Sequence, residues 1–360
     1  MKRKLLTKIV IVNITFYILH FTSFAQDIHF SQFYQTPLLL NPALTGNFNG
    51  DQRVIVNHKD QWKTMSSSSS SAYRTSFLSF DMGVMKKKWK SAYIGTGLTV
   101  YSDKAGDTQL GTTQANLSAS AIVYVASNHI LSLGLQGGFA QRSINNSKMQ
   151  WGNQFNSNTG GFDPSLPGEA NKIEPFTFGD FSTGLSWSYG SEASSLFANN
   201  EFKANAGVAL FHVNKPAQKF NTYEQVDKMY SKLVAHAGMH IGIGKTNFAV
   251  QPSMFYMQQG PQKEINFGAF VRYQLRAESK YTGAFKETAV SIGGYSRAKD
   301  AVIPSILVEY SSFALGFSYD MNVLSDLKTV SNKKGGFEVS LKYVNPNPFR
   351  GGTTQSVRFL

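Results

Sequence analysis

Residues Gly179 to Gly190, GDFSTGLSWSYG, alternate between two kinds of side chain. Phe181, Thr183, Leu185, Trp187 and Tyr189 fall on one set of positions, and Asp180, Ser182, Gly184, Ser186 and Ser188 on the other. Successive side chains of a strand point to opposite faces, so this run presents a mostly apolar face and a small, polar one. Each face needs its own medium along the whole strand. Glu264 to Leu275 repeats the pattern, with Ile265, Phe267, Ala269, Val271, Tyr273 and Leu275 against Glu264, Asn266, Gly268, Phe270, Arg272 and Gln274. Leu233 to Ile243 does so with His236 and His240 on its polar face.

Such segments lie at 53–62, 72–83, 90–101, 111–126, 129–142, 179–190, 202–212, 230–243, 247–258, 264–275, 286–297, 302–310, 312–321 and 335–344. They are longer than the roughly 5–6 residues usual in soluble sheets and suit tilted membrane strands of about 9–11 residues. Fourteen is an even number, as a bacterial outer-membrane barrel with both ends in the periplasm requires. With the first strand running outward, most long connections, including 63–71, 143–178, 213–229 and 322–334, fall outside. The inner ones are mostly shorter, although 191–201 and 276–285 are long for that side. A soluble sandwich would need one continuous core, and no regular repeat supports a propeller.

The N-terminus reads as an export leader. Lys2, Arg3, Lys4 and Lys8 precede an apolar stretch from Ile9 to Phe21, and Ser23 and Ala25 sit where a signal peptidase requires small residues. The stretch is shorter than the about 20 residues of a membrane-spanning helix. No cysteine occurs anywhere, which excludes disulfides, thiolate metal sites and lipid attachment through a cysteine. Without the leader cations the formal charge falls from +13 to +9, and the remaining Lys and Arg are scattered. That distribution argues against nucleic acid as a partner. The 28 Phe, 16 Tyr and 31 Gly, with only 16% charged residues, fit an all-β chain.

Reactive chemistry is hard to place. His236 and His240 stand about 13 Å apart on a strand rising 3.3 Å per residue, too far to share one ion. Gly242-Ile243-Gly244 and Gly293-Gly294 lack the helix of a phosphate loop and read as close backbone approach. No serine lies in a nucleophile elbow. The expectation is a protein without catalytic, cofactor or metal residues and without enzymatic activity. Ser66 to Ser71 reads as an exposed loop, and the connection carrying Trp151, Phe155 and Phe162 is too long and too aromatic for a plain turn.

The segment Gln26 to Gly50 is too apolar for a solvated tail. Phe30, Phe33, Tyr34, Leu38 and Leu40 need a partner. Pro37 and Pro42 oppose one long helix, and Asn41-Pro42 marks a turn. A plug with short turns, entering the barrel from the periplasmic rim, accounts for these residues; docking onto a periplasmic component is the alternative.

Two stretches carry a family pattern. One runs from FSQFY (Phe30 to Tyr34) through Pro37-Leu38-Leu39-Leu40-Asn41-Pro42-Ala43 and Gly46 to Arg53, Asn57 and Gln61-Trp62. The other is Phe317 to Tyr343, with Tyr319-Asp320-Met321-Asn322, Leu324, Ser325 and Leu327, then Gly335-Gly336-Phe337-Glu338-Val339-Ser340. Together they resemble the PorP/SprF family of the type IX secretion system of Bacteroidota. Departures are Leu324 where serine is more usual and an end on Phe359-Leu360 rather than an aromatic residue. The resemblance implies an outer-membrane protein of secretion and gliding machinery whose partners are large secreted adhesins with a C-terminal targeting domain.

The expected fold is all-β, a transmembrane antiparallel β-barrel of about fourteen strands with an N-terminal plug-like segment. Residues 1–25 form the signal peptide, 26–52 the plug or docking segment, 53–344 the barrel and 345–360 a periplasmic tail. The expected role is to bind the adhesin's C-terminal domain and support its export or anchoring; a channel for small solutes is the alternative. Tyr319, Asp320, Asn322, Lys328, Lys333 and Lys334 are the expected partner-binding residues. Other secretion components and outer-membrane lipid are expected neighbours.

Overall fold

The computed structural model describes residues 27–61, 73–86, 91–169, 174–191, 201–219, 227–276, 287–323 and 334–345. Fourteen strands form one closed antiparallel barrel. They are β1 (Gln52–Gln61), β2 (Tyr73–Val84), β3 (Ala92–Ala105), β4 (Leu110–Ala126), β5 (His129–Ser143), β6 (Phe176–Ser191) and β7 (Phe202–Phe211). They continue with β8 (Lys232–Gly242), β9 (Phe248–Gln259), β10 (Gln262–Arg276), β11 (Thr288–Arg297), β12 (Ala301–Tyr310), β13 (Phe313–Met321) and β14 (Lys334–Asn345). Each strand pairs with the next in sequence. Antiparallel pairing of β14 with β1, from Gln52 opposite Asn345 to Gln61 opposite Gly336, closes the wall. Closure leaves no edge, the condition for crossing a bilayer with strands.

The alternation read from the sequence sorts the two faces. On β6, Phe181, Leu185 and Trp187 point outward and stay exposed, while Ser182, Ser186 and Ser188 are buried inward. Ile265, Phe267, Val271, Tyr273 and Leu275 of β10 are likewise outward, with Asn266 and Phe270 inside. Aromatic residues ring the outside near both ends: Tyr310, Phe313, Phe248 and Tyr273 at one, Tyr73, Tyr319 and Phe337 at the other. Such girdles sit at the two bilayer interfaces.

Connections 127–128, 243–247 and 311–312 lie at one end of the barrel, and 144–175 and 212–231 at the other. Short turns face the periplasm and long loops the exterior, so β1 runs outward; 192–201 and 277–287 are the long exceptions among inner connections. The wall is uneven in height. Strands β3, β4 and β5 have 14, 17 and 15 residues, whereas β12 and β13 have 10 and 9.

Candidate functional site

The lumen is occupied by the chain's own N-terminal segment. Starting at Asp27, it makes a 3-10 turn at Phe33–Gln35, a four-residue helix at Pro37–Leu40 and a second 3-10 turn at Pro42–Leu44. Pro37 and Pro42 each open an element at its first positions, where a missing N–H costs nothing. The path differs from a plug that enters from below and stops. Asp27 contacts Gln259 and Lys232 at the outer ends of β9 and β8, and Gly50 lies beside Asn345 at the inner rim. The segment therefore traverses the whole lumen, its first described residue outermost.

At the outer end the two family motifs meet. The backbone N–H groups of Ser31 and Gln32 donate to the Glu338 carboxylate at 2.7 and 3.0 Å, and Asn57 Nδ2 donates to it at 2.8 Å. Ser31 Oγ donates to Asp320 Oδ2 at 2.8 Å. Asp320 also receives Arg297 at 3.0 Å and Lys59 at 3.3 Å. Gln32 Nε2 donates to the Glu338 carbonyl at 2.9 Å, and Ser340 Oγ donates to Gln32 Oε1 at 2.6 Å. Every one of these side chains is buried. Buried carboxylates are tolerable only when paired and hydrogen-bonded, and here two cations and a row of donors surround them. The Gly335-Gly336 pair has a steric cause: a Cβ on Gly335 would lie 2.1 Å from the Asp320 carbonyl oxygen.

Below this network, Phe33 and Tyr34 pack into an apolar cluster with Phe255, Phe270, Tyr295, Ile303 and Leu307. Phe33 meets Phe255 and Tyr295 edge-on at 4.9 and 5.3 Å, and Tyr34 stacks on Tyr295 at 5.3 Å. Offset and edge-to-face pairs of this kind add about 0.5–1.5 kcal/mol beyond their buried area. Phe30 joins Ile55, Phe77 and Tyr101 on the opposite wall. Leu38 is fully buried, whereas Leu40 is partly covered.

The Asn41-Pro42-Ala43 turn presses against the wall at mid-height. Asn41 Nδ2 donates to the carbonyls of Leu185 (3.0 Å) and Val208 (3.2 Å) and lies 3.1 Å from His236 Nε2. Asn41 Oδ1 accepts from the Ala43 N–H at 2.9 Å. Three glycines on adjacent strands make room: added Cβ atoms would lie 2.2 Å from Ala43 N at Gly134, 2.0 Å from Asn41 Oδ1 at Gly184 and 2.7 Å from Asn41 Nδ2 at Gly207. Toward the inner rim, Arg53 forks onto Asp81 at 2.9 and 2.8 Å, and Asp81 also accepts from the Gly46 N–H at 2.7 Å. His240, the second histidine of β8, bonds Gln251 and Glu201.

The outermost contact is electrostatic. His212, immediately after β7, holds Asp27 Oδ2 through Nε2 at 2.5 Å and Asp180 Oδ1 through Nδ1 at 2.9 Å. Burial works against a charged imidazole, but the two carboxylates override it and raise its pKa to about 9. Burial likewise works against Asp27 as an anion, yet Lys232 and His212 hold it well below the usual carboxylate range.

Of the residues singled out from sequence, Phe30, Phe33, Tyr34, Leu38, Leu40, Asn41 and Pro42 all line this path inside the barrel. Asp320 and Asn322 are buried, at 0% and 2% exposure, so they belong to the lumen rather than to an exposed platform. Tyr319 points outward. Lys334 begins β14, and Lys328 and Lys333 lie outside the described residues. Asp27, His212, Asp81 and the glycine row were not foreseen. Their contacts join residues up to 232 positions apart, which no local pattern signals.

A family model described as type IX secretion system membrane protein PorP/SprF matches residues 22–343. No curated protein matches the sequence. Among solved structures, the toluene transporter TodX of P. putida aligns at 10% identity over 86% of this chain and 93% of its own, with a TM-score of 0.42. A Pseudomonas aeruginosa FadL homologue aligns at 9% over 86% and 94%, with the same TM-score of 0.42. CdiB from Acinetobacter baumannii aligns at 9% over 81% of this chain, with a TM-score of 0.40, and the chain spans 60% of CdiB's length. With its opening and closing motifs locked together inside one outer-membrane barrel, the chain belongs to the PorP/SprF family of type IX secretion system membrane proteins.

Proposed function

We propose that the protein is a non-enzymatic anchor: it binds the C-terminal targeting domain of a large secreted adhesin at the outer face and supports its export or surface retention. Export of the chain itself would proceed through removal of residues 1–25, and the adhesin would serve gliding motility. The observation that carries this reading is the lumen. A segment that crosses the barrel from rim to rim, held by paired charges at its outer end and near its inner end, suits a docking body better than a solute channel.

Two measurements test it together. Full-length protein in planar bilayers should carry little current; a steady porin-like conductance would favour the channel. Cells lacking residues 325–332 should keep a folded, heat-modifiable barrel yet release the adhesin into the medium. Normal retention in that deletion would remove the segment from docking, and normal retention in a full gene deletion would defeat the anchoring reading.

A further inference from the structure

The lipid-facing side of the wall changes character at one height on β1 to β4. Outward residues of β1 run Val54, Val56, His58, and those of β2 run Phe80, Leu78, Ser76. On β3 the sequence is Leu98, Val100, Ser102, and on β4 it is Leu117, Ala115, Thr113. Register sets His58 opposite Ser76, Ser76 opposite Ser102 and Ser102 opposite Thr113. Opposed residues of antiparallel strands stand about 4.5–5.5 Å apart, so the four side chains form one continuous polar row. It lies at the outer edge of the apolar band, where hydrocarbon gives way to headgroups and lipid ester groups lie.

One end of this row is ordered as a relay. His58 Nδ1 lies 2.9 Å from Ser76 Oγ, and His58 Nε2 lies 3.5 Å from Asp60 Oδ2. With Nε2 carrying its proton toward Asp60, Nδ1 accepts the Ser76 hydroxyl proton. Asp60 is held in turn by Arg74, its partner across the β1–β2 ladder, at 3.4 Å. Ser102 Oγ accepts from Thr113 at 3.5 Å, which leaves its own proton to donate beside Ser76. Ser76 is exposed, and so is about half of the His58 side chain. A hydroxyl, an imidazole and a carboxylate in this order are the nucleophile, base and orienting group of acyl transfer, and such contacts are commonly looser without substrate.

We propose that Ser76, His58 and Asp60 form a second site, which hydrolyses an acyl ester of a glycerophospholipid in the outer leaflet. Ser76 Oγ attacks the ester carbonyl carbon while its proton passes to His58 Nδ1. The Ser102 hydroxyl donates to the carbonyl oxygen as it gains negative charge. Collapse breaks the ester C–O bond, and the departing lysolipid oxygen takes the proton from His58, leaving Ser76 acylated. Water, deprotonated by His58, then releases the fatty acid and restores the Ser76 hydroxyl. The surroundings set the substrate class. Val56, Leu78 and Phe337, all exposed to lipid, flank the site with apolar surface for an acyl chain. Arg74, 44% exposed and outward of Ser76, stands at the height of the headgroup phosphate. The anchoring role works from the lumen without chemistry, and this activity is independent of it.

The test uses full-length protein reconstituted in phosphatidylethanolamine vesicles with a radiolabelled acyl chain. The wild type should release free fatty acid, and a fluorophosphonate should label Ser76, read by peptide mass. Ser76→Ala should lower release by about a hundredfold or more and abolish the label. Heat modifiability should be unchanged, because Ser76 packs against no other element. His58→Gln should lower release as far. Asp60→Asn should lower kcat with KM unchanged, as expected of a group that orients the imidazole without touching lipid. Release that persists in Ser76→Ala, or a wild type that releases no more than protein-free vesicles, would overturn the proposal.

Discussion

The backbone N–H of Ser31 donates to Glu338 Oε2 at 2.7 Å, joining residues 307 positions apart inside the lumen. Neither residue carries this contact alone. Glu338 is held in place by Asn57 and by the bulge at Gly335-Gly336, while Ser31 is held from the other side by Asp320, Lys59 and Arg297. The opening and closing motifs of the chain are therefore the two halves of one interface.

Replacing Glu338 by Ala removes the acceptor of three buried donors at once. Hydrogen bonds to charged groups contribute about 1.5–3 kcal/mol each, and orphaned buried donors add their desolvation cost. The plug's outer end should detach while the barrel stays closed. Expected outcomes are a new protease cut between Asp27 and Tyr34 in intact cells and measurable conductance in bilayers. An unchanged digestion pattern would show that the aromatic cluster holds the plug without this carboxylate.

The glycine row predicts a second way to dislodge the segment. A valine places its Cβ 2.2 Å from Ala43 N at Gly134 or 2.0 Å from Asn41 Oδ1 at Gly184, an overlap that no side-chain rotation relieves at Gly134 because the neighbour is backbone. Gly134→Val should expel the Asn41-Pro42-Ala43 turn and raise conductance with heat modifiability retained. Gly152, whose added Cβ would meet nothing within 4 Å, gives the matched control.

The lipid face gives a third. Leu133 and Leu185 oppose each other at mid-wall, both about half exposed on the outer surface. Leu185→Arg should cost about 2–4 kcal/mol in urea unfolding from lipid vesicles, the range for Arg at the bilayer midplane. Its neighbour Ser186 is 1% exposed and faces the plug. Ser186→Arg should therefore also be costly, but through loss of plug seating, seen as conductance rather than failure to insert.

How much of this was visible in the sequence depends on the range of the cause. Strand positions were legible because lumen and lipid impose opposite demands on adjacent residues, and Phe181 to Tyr189 records that demand residue by residue. Strand ends such as those of β3, placed at 90–101 but found at Ala92–Ala105, shifted where the wall rises above the bilayer and alternation no longer contrasts with lipid. Pro37 and Pro42 announced short turns in the plug. Its seat was not legible, because Gly134, Gly184, Gly207 and Asp81 have no local reason to be where they are. From sequence Asp320 is expected among the partner-binding residues; only closure of the barrel around Ser31 makes it a buried anchor.

The outermost latch predicts a pH window. His212 binds its proton more tightly when folded, with a pKa near 9 against about 6.5 unfolded. Its contribution is fully present below about pH 6.5 and is lost as pH rises through 9. Asp27 has the opposite sense: its depressed pKa makes its contribution present above the ordinary carboxylate value, about 3.9, and lost as pH falls below it. The latch should thus hold between roughly pH 4 and 9 and loosen on either side. Asp27→Asn leaves His212 facing only Asp180 and a neighbouring Lys232, which lowers the histidine pKa and moves the alkaline limit toward neutrality. Protease access to residues 27–30, measured in reconstituted vesicles from pH 5 to 10, should rise near pH 9 in the wild type and one or more units lower in Asp27→Asn. Coincident curves for the two proteins would show that His212 does not hold the segment.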